Sequence, residues 1–127
     1  MSTPLRRLVP IAHVRSVAAS IPFYEKIGFR VLNVFTPPDA TEPSWVWLES
    51  DDHAALMLGV ATEPVVASQQ AVLFCLYFDD VAAKHAELQD AGVAVTPIIY
   101  PFYNRGGEFR VTDPDGYVLM MAHAHAA

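Results

Sequence analysis

The sequence predicts an α+β fold of two tandem β-α-β-β-β modules that form a cupped mixed sheet, with one helix per module on the outer face. Three observations carry this prediction. First, two segments match at one constant offset: Ser16-Val17-Ala18-Ala19-Ser20 against Asp80-Val81-Ala82-Ala83-Lys84, then Gly28 against Gly92, Phe29 against Val93, and Val31 against Val95. Second, each half opens on an apolar run rich in β-branched and aromatic residues, of strand rather than helix length. Third, each run is followed by a capping residue, a helical pattern and a glycine. The chain of 127 residues therefore reads as a single domain, 1–127, with module one at about 1–64 and module two at about 65–127.

The elements follow in order. The opening strands are Leu8–Val14 and Val72–Phe78. Ser16 and Asp80 are the helix caps, and Gly28 and Gly92 close the helices in the left-handed conformation. Val17, Ile21 and Tyr24 share one face of the first helix, and Val81, His85 and Leu88 share one face of the second. Pro22 leaves the first helix open to two readings. If the helix starts at Val17, the proline removes a backbone bond; if Ser20 is the cap, it falls in the first turn. Three strands then complete each module: Phe29–Phe35, Trp45–Glu49 and Ala54–Val60 in the first, Val95–Ile99, Glu108–Thr112 and Tyr117–Ala122 in the second. Thr36–Ala40 is a loop, Asp51-Asp52-His53 a tight turn, Asp113-Pro114-Asp115-Gly116 a turn, and Tyr100–Gly107 a longer aromatic loop. Thr62–Gln70 links the modules.

Composition bounds the function. The chain is 53% hydrophobic and 17% charged, enough to bury a core. Its formal net charge of −6 argues against nucleic acid, which needs a basic stripe. No apolar run approaches the ~20 residues that span a bilayer. The Leu8–Val14 run is too short and interrupted for a signal peptide, and the lone Cys75 allows no internal disulfide; a cytoplasmic location is expected. One helix covers only one face of a four-stranded sheet, so the other faces are expected to line a cleft.

The pattern Val9-Pro10, Ser20, Phe23-Tyr24 and Gly28-Phe29, with Glu108-Phe109 and Asp113-Pro114-Asp115-Gly116-Tyr117, resembles the vicinal oxygen chelate superfamily of glyoxalases, bleomycin-resistance proteins and extradiol dioxygenases. The resemblance covers nearly the whole chain. It implies paired modules, a cupped cavity and, in the enzymes, a divalent metal held by His or Glu from the first and last strands of each module. Those positions here carry Val9, Met57, Leu73 and Met120, none a ligand for a hard divalent ion. No metal and no cofactor are expected. The chain is thereby most similar to the bleomycin-resistance proteins, which implies a homodimer that sequesters a small molecule. One departure is Gly107, which stands directly before Glu108-Phe109 where that subgroup tends to carry arginine.

Strand alternation then selects the cleft lining. If Val9 faces the cleft, so do Ile11, His13 and Arg15; Cys75 and Tyr77 follow with Leu73, and Met120 with Val118. Val46 and Leu48 suit the helix side, which turns Trp45, Trp47 and Glu49 to the cleft. Tyr100, Phe102 and Tyr103 form a lid or wall, and Glu108 is the best-placed carboxylate. The expected ligand-binding set is Ile11, His13, Trp45, Trp47, Met57, Cys75, Tyr77, Tyr100, Phe102, Tyr103, Glu108 and Met120, with no catalytic residue. Each has a plainer reading. The tryptophans could fill a dimer interface. His13 could be structural, Cys75 a buried inert thiol, and Glu108 a partner of Arg105 or Arg110. His53 is expected in solvent, and His123 and His125 in a frayed tail. Three functions compete: capture of a planar or amphipathic molecule; metal-dependent lyase, isomerase or dioxygenase chemistry at misaligned ligands such as His13, Glu49, His53, Glu108 or His123; and an interaction domain with a vestigial cleft.

Overall fold

The computed structural model describes residues 3–124; His125 lies outside the described residues. The described chain divides between Val65 and Val66 into two compact units. The first contains β1 (Ile11–Val14), α1 (Val17–Ile27), β2 (Arg30–Phe35), β3 (Trp45–Glu49) and β4 (Ala55–Val60). Its sheet has the order β1-β4-β3-β2, with β1 parallel to β4 and the other pairs antiparallel. The second contains β5 (Leu73–Phe78), α2 (Val81–Asp90), β6 (Glu108–Thr112) and β7 (Val118–His123), preceded by a single 3₁₀ turn at Ala67–Gln69. Its sheet has the order β5-β7-β6, again with the first strand parallel to the last. The fold is α+β, with two mixed sheets and two helices.

Local chemistry sets the boundaries. The β1 ladder begins only at Ile11, because Pro10 has no N–H to give; its carbonyl still accepts from Met57 N at 2.9 Å. Ser16 is the cap of α1, its Oγ accepting from Ala19 N at 3.1 Å, and Asp80 caps α2 through Ala83 N at 2.9 Å. Pro22 thus lies inside α1, and the alternative start at Ser20 falls away. Gly28 closes α1 at φ 133°, a conformation that a side chain would strain.

Each core lies between a helix and one face of its sheet. In the first unit Val17, Tyr24 and Ile27 of α1 are buried, as are the alternating Ala12 and Val14, Val46 and Leu48, and Leu56 and Leu58. Ile21, expected on the inward face, is only half-buried; Ser20 occupies that line instead. In the second unit Val81 and Leu88 are buried with Phe109, Val111, Leu119 and Met121, and the His85 ring meets Phe109 edge-on at 4.9 Å.

One expected strand does not form. Val95–Ile99 makes a single antiparallel bridge, between Ile99 and Glu108. The reason begins at Thr96. Thr96 N donates to the Arg110 carbonyl at 3.1 Å, but Arg110 N is met by Thr96 Oγ1 at 2.8 Å, while the Thr96 carbonyl pairs with His85 Nε2 at 2.9 Å. From there to the Ile99–Glu108 bridge this segment advances three residues against two on β6, so the register shifts and the ladder does not continue. No helix of the described residues is long and apolar enough to cross a membrane.

Candidate ligand-binding faces

Alternation that buries one face of each sheet turns the other face away from the helix. On the first sheet, register aligns two rows across the strands. One row is Ile11, Met57, Trp47 and Asn33; the other is His13, Gly59, Trp45 and Phe35. The structure thus brings Ile11, His13, Trp45, Trp47 and Met57 onto one surface. Both indole N–H groups are already used there. Trp45 Nε1 lies 3.3 Å from Met57 Sδ, and Trp47 Nε1 donates to Glu49 Oε2 at 2.8 Å. What remains for a ligand is the flat ring.

At one end of this face the side chains converge on Glu49, which is 8% exposed. His53 Nδ1 lies 2.9 Å from Glu49 Oε1, and the Arg7 guanidinium lies 3.8 Å from Oε2. The same guanidinium stands 5.4 Å from the centre of the Trp47 ring and donates to the His53 carbonyl at 3.1 Å. The Trp47 hydrogen bond is the largest of several effects that hold the Glu49 carboxyl below its usual range; His53 and Arg7 add to it, and burial opposes them. Beside these groups is a pocket of about 300 Å³ lined by Arg7, Leu32, Asn33, Trp45, Trp47 and Glu49. Sequence reading reached the tryptophans and Glu49 through alternation. It missed Arg7, which precedes every element, and Leu32 and Asn33, which a register shift between Val31 and Asn33 brings into play. His53 is exposed, as expected, but its positive φ of 69° turns the chain back so that its ring reaches Glu49.

On the second sheet, Cys75, Met120 and Arg110 form one row and Tyr77, Ala122 and Glu108 the next. Cys75 is exposed, which corrects the expectation of a buried thiol. It sits on the open face of β5, where it hydrogen-bonds Tyr77; that bond raises the tyrosine's pKa. Glu108 is 1% exposed and forms no ion pair with Arg105 or Arg110 among the described residues. A hydrogen-bonding interaction with Glu108 is the main cause raising the Tyr103 pKa, with burial and the carboxylate's charge acting the same way. Among the described residues Glu108 Oε1 has no hydrogen-bond partner. Tyr100, Phe102 and Tyr103 are all exposed, and Phe102 and Tyr103 meet edge-on at 5.5 Å.

Asn104 fixes this aromatic loop from within. It is buried, donates to the His123 carbonyl at 3.1 Å and accepts from Gly106 N at 3.2 Å. Gly106 lies so close to His123 that a Cβ there would come within 2.5 Å of the ring. His123 itself belongs to β7 and not to a frayed tail, and its Nδ1 accepts from Val81 N at 3.5 Å.

The metal positions that the resemblance assigns do not fit a hard divalent ion. They carry two aliphatic side chains, Val9 and Leu73, and two thioethers, Met57 and Met120. The Met57 sulfur already faces Trp45 Nε1. Among the described residues no three His, Cys, Asp or Glu side chains converge to hold a metal ion.

Residues 8–121 match the family described as Glyoxalase/Bleomycin resistance protein/Dioxygenase superfamily, and the chain belongs to that superfamily. Solved structures agree on the fold. The chain is similar to a bleomycin-binding protein complexed with bleomycin, at 18% identity and a TM-score of 0.74, covering 95% of this chain and 100% of that one. It is similar to TnmS3, an antibiotic-binding protein from Streptomyces sp. CB03234, at 21% identity and a TM-score of 0.74, covering 98% and 100%. It is also similar to a glyoxalase-related enzyme from Clostridium phytofermentans, at 13% identity and a TM-score of 0.77, covering 97% and 98%. A comparison with curated proteins finds no match.

Proposed function

We propose that this protein is a metal-free small-molecule-binding protein of the bleomycin-resistance type. It works in the cytoplasm as a homodimer and sequesters a planar or amphipathic ligand. The observation that carries this reading is the first sheet's open face. Trp45 and Trp47 keep their N–H groups for Met57 and Glu49 and turn flat rings towards a pocket of about 300 Å³. Stacking is the interaction such a surface offers. The second face adds Cys75, Tyr77 and Met120, with Tyr100, Phe102, Tyr103 and Glu108 at its aromatic loop.

The enzyme reading has one observation in its favour. Glu49 and His53 place an oxygen and a nitrogen donor 2.9 Å apart, the start of a metal site in a superfamily that includes dioxygenases. Native mass spectrometry separates the two. Protein exposed to Mn²⁺, Fe²⁺, Zn²⁺ or Ni²⁺ is expected as a dimer without stoichiometric metal; one tightly held ion per chain returns the enzyme. In the binding reading, Trp45→Ala with Trp47→Ala weakens capture of a planar aromatic probe by about tenfold or more, from the loss of two stacking contacts. Unchanged affinity removes the reading's main support.

A further inference from the structure

The pocket beside Trp47 is bordered by a planar cation, the guanidinium of Arg7, which rests over the indole. That group stands 5.4 Å from the ring centre and 3.8 Å from Glu49 Oε2. An aromatic face and a carboxylate together form the environment in which a cation over indole is most favoured. The carboxylate is built into the sheet. Glu49 ends β3, is 8% exposed, and is oriented by Trp47 Nε1 on one oxygen and His53 Nδ1 on the other. Arg7 is more exposed. It belongs to a stretch outside any helix or strand, its side chain is 46% exposed, and its neighbours Leu5 and Leu8 are 86% and 83% exposed. A half-exposed cation, tied otherwise by one hydrogen bond to the His53 carbonyl at 3.1 Å, therefore rests on a surface suited to cations. The pocket, at about 300 Å³, lies at the small end of ligand sites and admits one planar head group. A net charge of −6 further enriches cations near the molecule.

We infer that this pocket selects a ligand bearing a planar cation, such as an amidinium, guanidinium or protonated heteroaromatic ring, and that Arg7 occupies its place until displaced. The inference rests on the binding reading above and narrows its ligand class. It makes Arg7 a competitor, so that removing it strengthens binding, the reverse of what a ligand-contacting arginine would do.

The test uses the full chain and two isosteric probes, benzamidinium and neutral benzamide. The indole N–H signals of the two tryptophans are followed by NMR and assigned with Trp45→Phe. Benzamidinium is expected to shift the Trp47 signal, and Arg7→Ala to tighten its binding by about threefold or more, the strength of one exposed cation–aromatic contact. Glu49→Gln is expected to abolish the preference for benzamidinium over benzamide. Benzamide that shifts both indoles as strongly as benzamidinium keeps the binding face but overturns the cationic assignment. Benzamidinium that shifts neither indole overturns both. Arg7→Ala that lowers the melting temperature without tightening benzamidinium makes Arg7 a structural tether and overturns its role as an occupant.

Discussion

At Glu49, three side chains reach a single carboxylate: Trp47, His53 and Arg7. Their combined effect depresses the carboxyl's pKa below its reference of 4.5, led by the Trp47 bond. A carboxyl depressed on folding adds stability that is present above pH 4.5 and is lost as pH falls through the lower folded value. Acid titration of unfolding should therefore be steeper below pH 4.5 in the native chain than in Glu49→Gln. Equal slopes would mean that the cluster is not formed in solution. At Glu108 the argument concerns burial. Tyr103→Phe removes the hydroxyl that serves this 1%-exposed carboxyl, whose Oε1 is already without a partner among the described residues. A lower denaturant midpoint is expected, and an unchanged one would mean that Tyr103 does not serve Glu108 in solution. Little of this was readable in the sequence. Alternation placed Glu49 beside Trp47 on one face, but Arg7 precedes every element and nothing in its surroundings points to Trp47. The pairing of Glu108 with a tyrosine depends on how Asn104 folds the loop, and the nearby Arg105 and Arg110 suggested a different partner.

At the scale of elements, the two serines of α1 make opposite predictions. Ser16 caps the helix, and Ser16→Ala should cost about 1 kcal/mol. Ser20 is 1% exposed with an Oγ that has no partner, so Ser20→Ala should be neutral or stabilising. Thermal melts of the two variants check the pair; equal losses would mean that Ser20 finds a partner in solution. Helices and strands were largely legible because their signals are local. Val46 and Leu48 alternate with Trp45 and Trp47, and that pattern alone orients β3. Val95–Ile99 has the same apolar character but does not pair along its length. Its fate was decided by side-chain competition at Thr96 and the shift of register before Ile99, neither of which hydrophobic periodicity records. Cys75 was misplaced for a related reason. Alternation correctly set it on the face shared with Tyr77, but how open that face is does not follow from the strand's own sequence.

For the whole molecule, the repeat found in the sequence corresponds to two sheets with the same connection, in which the first strand of each unit pairs in parallel with its last. We propose that the two units unfold together as one domain, giving a single transition with coincident calorimetric and spectroscopic curves. Two resolved transitions would separate them. Since a ligand that binds only the folded state raises the melting temperature by mass action, millimolar Mn²⁺ or Zn²⁺ should leave that temperature unchanged if the protein is metal-free. A rise of several degrees would favour the enzyme. The shared strand order makes the two ends of the chain unequal in their tolerance to truncation. In the first, the strand nearest the amino terminus, β1, is an edge; in the second, the strand nearest the carboxyl terminus, β7, is the centre. Losing β1 strips one margin from an otherwise intact meander. Losing β7 leaves β5 and β6 with nothing between them. A ribosome making this protein must therefore finish almost the whole second half before that half can close. Nonsense or frameshift changes that remove Val118 onward should leave β5 and β6 without their shared partner, exposing unpaired strands to aggregation.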